Sequence, residues 1–165
     1  MTLVLGGARS GKSAHAEGLV TRHPAPWLYL ATGQAFDDEM RQRIAEHRAR
    51  RAAGWETAEV PLDLTTALGT IAPGRPALVD CLTLWLSNLL LAGRDPDEEA
   101  ARLAEALAGR RGPLVLVANE VGLGIVPDNP LARRFRDAAG RLNQRVAALA
   151  DAVVLTVAGI PVQVK

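Results

Sequence analysis

The chain has 165 residues, a length that fits one domain with a sizeable core, because a chain of this size buries about 70% of its unfolded surface. Its formal net charge is +1, with 19 Lys and Arg against 18 Asp and Glu, so bulk electrostatics give no support for a nucleic-acid partner and point to a small substrate. The one cysteine, Cys81, cannot close an internal disulfide, and no apolar run approaches the roughly 20 residues of a membrane span. No signal peptide precedes the first predicted strand, so a cytoplasmic protein without a membrane span is expected.

Leu3, Val4 and Leu5 read as a buried parallel strand. Behind them Gly6, Gly7, Ala8, Arg9, Ser10, Gly11, Lys12 and Ser13 match G-x-x-x-x-G-K-[ST], with helix formers directly after. Glycines at these places open backbone conformations closed to residues with a Cβ, so successive N–H groups can turn inward around an anion at a helix N-terminus. In such a P-loop Lys12 reaches the β and γ phosphates of a nucleotide and the Ser13 hydroxyl ligates Mg²⁺.

The first helix is expected over residues 12–22, stopped by His23 and Pro24. A second parallel strand follows at 27–31 and ends at Thr32 and Gly33. Residues 37–53 read as a helix, acidic at its start and basic at Arg48, Arg50 and Arg51, which matches the helix dipole at both ends. Phe36, Met40, Ile44 and His47 recur at helical spacing, which puts the histidine on the inward stripe. From spacing alone, a hydrogen-bonded core histidine remains the alternative to a functional one. A short strand at 55–60 and a weak helix at 62–71 lead to residues 77–80, an apolar run ending in Asp80. That is the form of a Walker B strand, whose acid holds Mg²⁺ or its water, although a plain strand end has the same pattern.

The apolar stretch 82–91 has more bulky residues than one helix face needs, which suggests an oligomer contact. A helix from Asp95 to about Arg110 is expected to present its charges to solvent. Residues 114–118 are the most strand-like run and belong at the centre of a parallel sheet, so Asn119 and Glu120 at its C-terminal end are expected to face the ligand. The glycine- and proline-bearing loop 122–130 is the candidate lid. A long arginine-bearing helix at 131–151, a core strand at 152–157 and a short edge strand at 162–165 complete the chain. Strands alternating with helices imply a single α/β domain, residues 1–165, with a mainly parallel sheet between helices.

A P-loop alone permits a small-molecule kinase, a nucleotidyl transferase, a motor ATPase or a switch GTPase. No transporter-ATPase or guanine-specificity signature is present, and Cys81 rather than a glutamate follows the Walker B acid, which favours transfer to a small molecule. GGARSGKSAHAE (6–17), LYLATGQAFDDEMRQRIAEHRARR (28–51), WETAEVP (55–61), LVDCLTLWLSNLL (78–90) and the stretch from VANEVGLGIVPDNPLARRF at 117 to residue 165 resemble a known family. It is the bifunctional adenosylcobinamide kinase/adenosylcobinamide-phosphate guanylyltransferase family of cobalamin biosynthesis. The resemblance covers most of the chain, and NEVGLGIVPDN and RIAEHRARR are far more specific than the P-loop.

The resemblance implies a homotrimer with a RecA-like P-loop sheet and two reactions. ATP or GTP phosphorylates the aminopropanol hydroxyl of adenosylcobinamide, and GMP then passes from GTP to adenosylcobinamide phosphate through a guanylyl-histidine. Carried over by position, His47 would be the guanylylated residue; Lys12, as the P-loop's charge, is expected to be catalytic in both reactions. Besides the P-loop, the nucleotide contacts would be Ala31, Thr32 and Gly33, then Arg48, Ala49, Arg50 and Arg51, then Glu59 and Asp80, with Ser13 and Asp80 at Mg²⁺. A kinase without guanylylation and a nucleotide-gated binding module are the alternative readings.

Overall fold

The computed structural model describes the chain except residue 36 and the side chains at positions 39, 40, 43, 47 and 50. Among the described residues, β1 (Thr2–Gly6), β2 (Trp27–Ala31), β3 (Trp55–Glu59), β4 (Ala77–Asp80), β5 (Leu114–Asn119), β6 (Ala152–Val157) and β7 (Ile160–Gln163) form one sheet in the order β3-β2-β4-β5-β1-β6-β7. Every pairing is parallel except β6 with β7. The strand expected at the centre, β5, has three strands on either side, with the P-loop strand β1 as one neighbour and the Asp80 strand β4 as the other. The C-terminal ends of these three strands form the rim on which the site is built.

Alternation along the strands divides the core into two layers. Leu3, Leu30, Val79, Leu116 and Val153 pack on one face, against α3 (Leu64–Thr70), α4 (Leu82–Leu91), α5 (Pro96–Gly109) and α6 (Pro130–Leu149). Val4, Tyr29, Leu78, Val115 and Val117 pack on the other, against Ala16 and Val20 of α1 (Lys12–Val20). The remaining helix, α2 (Asp38–Arg50), follows β2.

Several expectations shift on contact with the structure. Helix α4 is apolar around its circumference because it is enclosed by its own chain: Leu82, Trp85, Leu86 and Leu89 are fully buried, and Leu91 alone of its large apolar residues is strongly exposed. The oligomer argument drawn from this stretch therefore fails, and exposed apolar side chains occur instead at Leu123, Ile125, Val126, Ile160, Val162 and Val164. The charges of α5 are not a purely solvated face either. Glu99 is buried and accepts from Arg94 Nε and Nη2 and from Arg102 Nη1, while Asp97 takes a bidentate contact from Arg141 of α6.

The edge strand β7 begins two residues earlier than expected, because Ala158 and Gly159 at positive φ make a two-residue turn that folds Ile160 back onto Val157. Helix α6 starts at Pro130, where the Asn129 side chain accepts from the amides of Leu131 and Ala132. No described helix is long and apolar enough to cross a membrane.

Candidate active site

The P-loop joins β1 to α1 with the geometry its glycines allow. Gly11 stands at φ 91, and a Cβ there would also come within 3.1 Å of the Gly159 backbone. A Cβ on Gly6 would lie 2.8 Å from the Thr156 carbonyl oxygen, so the loop can leave the sheet closely only with glycine at that place. The turn is tied by the Ser10 amide donating to the Gly7 carbonyl at 3.3 Å and by the Gly159 amide donating to the Ser10 carbonyl at 2.9 Å. Lys12 Nζ donates to the Gly7 carbonyl at 3.3 Å, which holds its charge over the loop.

This loop forms one wall of a cavity of about 1160 Å³, enough for a nucleoside triphosphate with space beside it. Ala8, Arg9, Ser10, Gly11, Lys12 and Ser13 line it, as do Ala31 and Gly33 at the end of β2 and Asp80 at the end of β4. The wall opposite comes from α2 and its continuation, through Ile44, Arg48, Ala49 and Arg51, with Glu59 at the end of β3. Arg48 Nη2 donates to Glu59 Oε1 at 2.8 Å, and Arg51 Nη1 donates to Thr57 Oγ1 at 2.9 Å. His47 belongs to α2 by its backbone. The inward stripe expected of Phe36, Met40, Ile44 and His47 lies outside the described residues at three of its four positions, and the Arg50 side chain lies outside them as well.

Among the described residues, three of the predicted nucleotide contacts do not line the cavity: Gly6, Gly7 and Thr32. The glycines shape the loop from behind. Thr32 is completely buried, and its hydroxyl both donates to the Cys81 carbonyl at 2.6 Å and accepts from the Cys81 amide at 2.8 Å. Its amide donates to the Asp80 carbonyl at 3.1 Å, and its carbonyl accepts from Asn88 Nδ2 at 2.8 Å. With all four groups engaged, Thr32 clamps the chain that leaves Asp80, and the run from Ala31 to Gly33 touches the cavity only at its ends.

Asn119 does line the cavity, and β5 register sets it beside Gly6. Thr83 Oγ1 accepts its amide at 2.6 Å and Asn143 Nδ2 donates to its carbonyl at 3.3 Å, so the backbone is fixed while Oδ1 is buried with no hydrogen-bond partner among the described residues. Glu120, expected beside it, instead accepts the Gly122 amide at 2.7 Å and stays outside the lining. None of residues 122–130 lines the cavity, so the candidate lid stands clear of it.

Tyr29 is one of the lining residues that sequence reasoning missed, along with Ala14, Gln34, Arg41, Glu46 and Leu84. Its hydroxyl donates to Asp80 Oδ2 at 2.8 Å, and burial, reinforced by the Asp80 charge, holds the phenol far above its ordinary pKa. Burial, again followed by Asp80, pushes the neighbouring Cys81 thiol up to about 12, so it remains a neutral thiol. Ser13 and Asp80 meet at the same cavity as a hydroxyl and a carboxylate, and the described residues contain no cluster of three acidic, His or Cys ligands. That sparse oxygen set fits Mg²⁺ carried in on a nucleotide, which takes few protein ligands and completes its shell from phosphate and water.

The family model described as cobinamide kinase / cobinamide phosphate guanyltransferase matches residues 2–164. The bifunctional adenosylcobalamin biosynthesis protein CobP of Pseudomonas aeruginosa is 52% identical over 167 residues, covering 99% of this chain and 96% of that protein. The corresponding CobU proteins of Salmonella typhimurium and Escherichia coli are 48% and 46% identical over 181 residues, each covering 100% of this chain and 99% of theirs. A P-loop, an Asp-ended strand two places along the sheet and a basic helix end around one cavity are thus found in a chain that, matched from end to end, belongs to the cobinamide kinase / cobinamide phosphate guanyltransferase family.

Proposed function

We propose that the protein phosphorylates adenosylcobinamide with ATP or GTP and then transfers GMP from GTP to adenosylcobinamide phosphate through a guanylyl group on His47. The observation that carries this reading is the single cavity shared by the P-loop, Asp80 and the basic end of α2. In the first reaction the substrate hydroxyl oxygen attacks the γ-phosphorus and gives up its proton to solvent, the bond to the bridging oxygen breaks, and the nucleoside diphosphate leaves. Lys12 and the loop amides stabilise the charge that develops on the transferring group and the leaving oxygens. Ser13 and Asp80 would hold Mg²⁺, which when bound neutralises phosphate charge.

In the second reaction a neutral His47 ring nitrogen attacks the α-phosphorus of GTP, forming an N–P bond as the P–O bond to pyrophosphate breaks. Arg48 and Arg51, which line the cavity, offset charge on the departing pyrophosphate. An oxygen of adenosylcobinamide phosphate then attacks the same phosphorus, and the N–P bond breaks to give adenosylcobinamide-GDP and free histidine. Nucleotide substrates place this chemistry in the cytoplasm. We also propose a homotrimer, for which the exposed apolar residues of the 122–131 segment and of β7 offer contact surface.

The test is incubation with GTP labelled at the α-phosphorus. Label that survives denaturation in the wild type and disappears in His47→Ala, with adenosylcobinamide phosphorylation largely kept, is the expected result. Persistent label in the variant would assign the nucleophile elsewhere, and loss of both activities in a folded variant would put the histidine in both steps. Light scattering at micromolar concentration should give three times the monomer mass.

A further inference from the structure

Asp80 is the last residue of β4, and its carboxylate is held by a neighbour that the reactions above do not use. β2 and β4 pair with Tyr29 opposite Leu78 and Ala31 opposite Asp80. Side chains two residues apart share a face, so Asp80 points to the same side as Leu78 and Tyr29, one diagonal step along the strand. A tyrosine spans that diagonal: Tyr29 stands opposite Leu78 and its hydroxyl reaches Asp80 Oδ2 at 2.8 Å.

The ring itself has little freedom. The Arg51 guanidinium carbon lies 3.5 Å from its centroid, and Trp55 meets it edge-on with centroids 5.8 Å apart. Arg51 is tied in turn to Thr57 Oγ1 of β3. A packed and stacked phenol thus occupies one carboxylate oxygen and leaves the other to the cavity, in a direction the ring sets.

We propose that Tyr29 is a positioning residue for the metal site, orienting the Asp80 carboxylate so that its other oxygen receives the divalent cation of the bound nucleotide. The inference rests on the reading of Asp80 as the Mg²⁺ carboxylate. A ligand carboxylate whose orienting hydrogen bond is removed binds its metal about 10- to 100-fold more weakly.

The experiment uses the full chain without adenosylcobinamide, with α,β-methylene-GTP, whose α–β bridge the second reaction cannot break, and Mn²⁺, whose free fraction is read by electron paramagnetic resonance. Tyr29→Phe keeps the ring, its stacking on Arg51 and its packing on Trp55, and removes only the donor. Its dissociation constant for Mn²⁺ should rise at least about tenfold, and excess Mg²⁺ should restore turnover to within about twofold of wild type. The two changes should not add: in an Asp80→Asn background, Tyr29→Phe should leave Mn²⁺ affinity where it was.

Because Tyr29 is the one tyrosine in the chain, uniform 3-fluorotyrosine labelling gives a single ¹⁹F resonance without altering the fold by mutation. That resonance should shift when Mg²⁺ is added to the nucleotide complex, and Asp80→Asn should remove the shift. Unchanged Mn²⁺ affinity in Tyr29→Phe, or a ¹⁹F signal blind to Mg²⁺, would reduce Tyr29 to a packing residue and overturn the inference. A wild-type nucleotide complex whose Mn²⁺ affinity does not depend on Asp80 would instead overturn the assignment of Asp80.

Discussion

Replacing Thr32 with valine removes one hydroxyl at almost constant volume, and the structure says what that hydroxyl holds. Cys81 is buried, so when the hydroxyl is lost its amide has no water to turn to, while its carbonyl keeps the Trp85 amide at 3.1 Å. One unsatisfied buried backbone group costs roughly 1–3 kcal/mol, so the loss is about 2 kcal/mol. For a domain of this size that lowers the melting temperature by about 4–8 °C. Calorimetry without nucleotide should show the full loss, and Thr32→Ser should recover most of it. If Thr32 were a nucleotide contact, as the family pattern alone suggests, the valine variant would melt like wild type without nucleotide and lose only the rise in melting temperature that Mg²⁺-GTP produces. That result would refute the clamp.

Lys12→Ala should lower both activities by about 100- to 1000-fold or more with little effect on the melting temperature, since Lys12 is the P-loop's phosphate-directed charge and its own bond is one 3.3 Å contact to Gly7; near-normal kinase turnover would remove the P-loop reading. Asn119→Ala should depress turnover while Glu120→Ala costs only about 1 kcal/mol of stability, because the first side chain lines the cavity and the second caps the Gly122 amide; steady-state kinetics beside thermal melts separates the two. The Cys81 thiol keeps its proton in the folded state up to about pH 12 but only to about 9.0 when unfolded. Stability should therefore fall as pH rises from about 9 toward 12, less steeply in Cys81→Ala, and iodoacetamide at pH 8 should label the unfolded chain but not the native one.

What could be read from the sequence was what depends on local pattern. The P-loop is legible because a phosphate cradle needs glycines, a lysine and a hydroxyl at fixed offsets, and β5 is legible because a strand buried on both faces has to be apolar throughout. The alternation that splits Leu3 from Val4 and Leu78 from Val79 onto opposite faces follows from strand periodicity as well. Residues whose partners are distant in sequence were not legible. The charges of α5 read as solvated because Arg141 and Arg145, which meet Asp97, come 44 and 48 positions later. Helix α4 read as a sticky surface because nothing local says that three other helices share its face of the sheet.

The same reasoning explains why the site was legible in outline while the buried clamp at Thr32 was not. A threonine at the end of a parallel strand, beside a P-loop, has the position and chemistry of a ligand residue, and only the partner strand decides its role. In this fold β2 and β4 are neighbours, so the chain leaving β2 at Thr32 runs beside the chain leaving β4 at Cys81, 49 positions away. Two chain exits side by side leave amides and carbonyls without ladder partners, and the buried hydroxyl supplies them. Tyr29 is the corresponding case one turn of the pleat deeper, where a side chain that reads as core by pattern carries its polar end to Asp80. Both residues of β2's end act on Asp80, Thr32 through the main chain that follows it and Tyr29 through its carboxylate. The sheet order, which no local pattern encodes, is therefore what converts two strand residues into the support of a single acid.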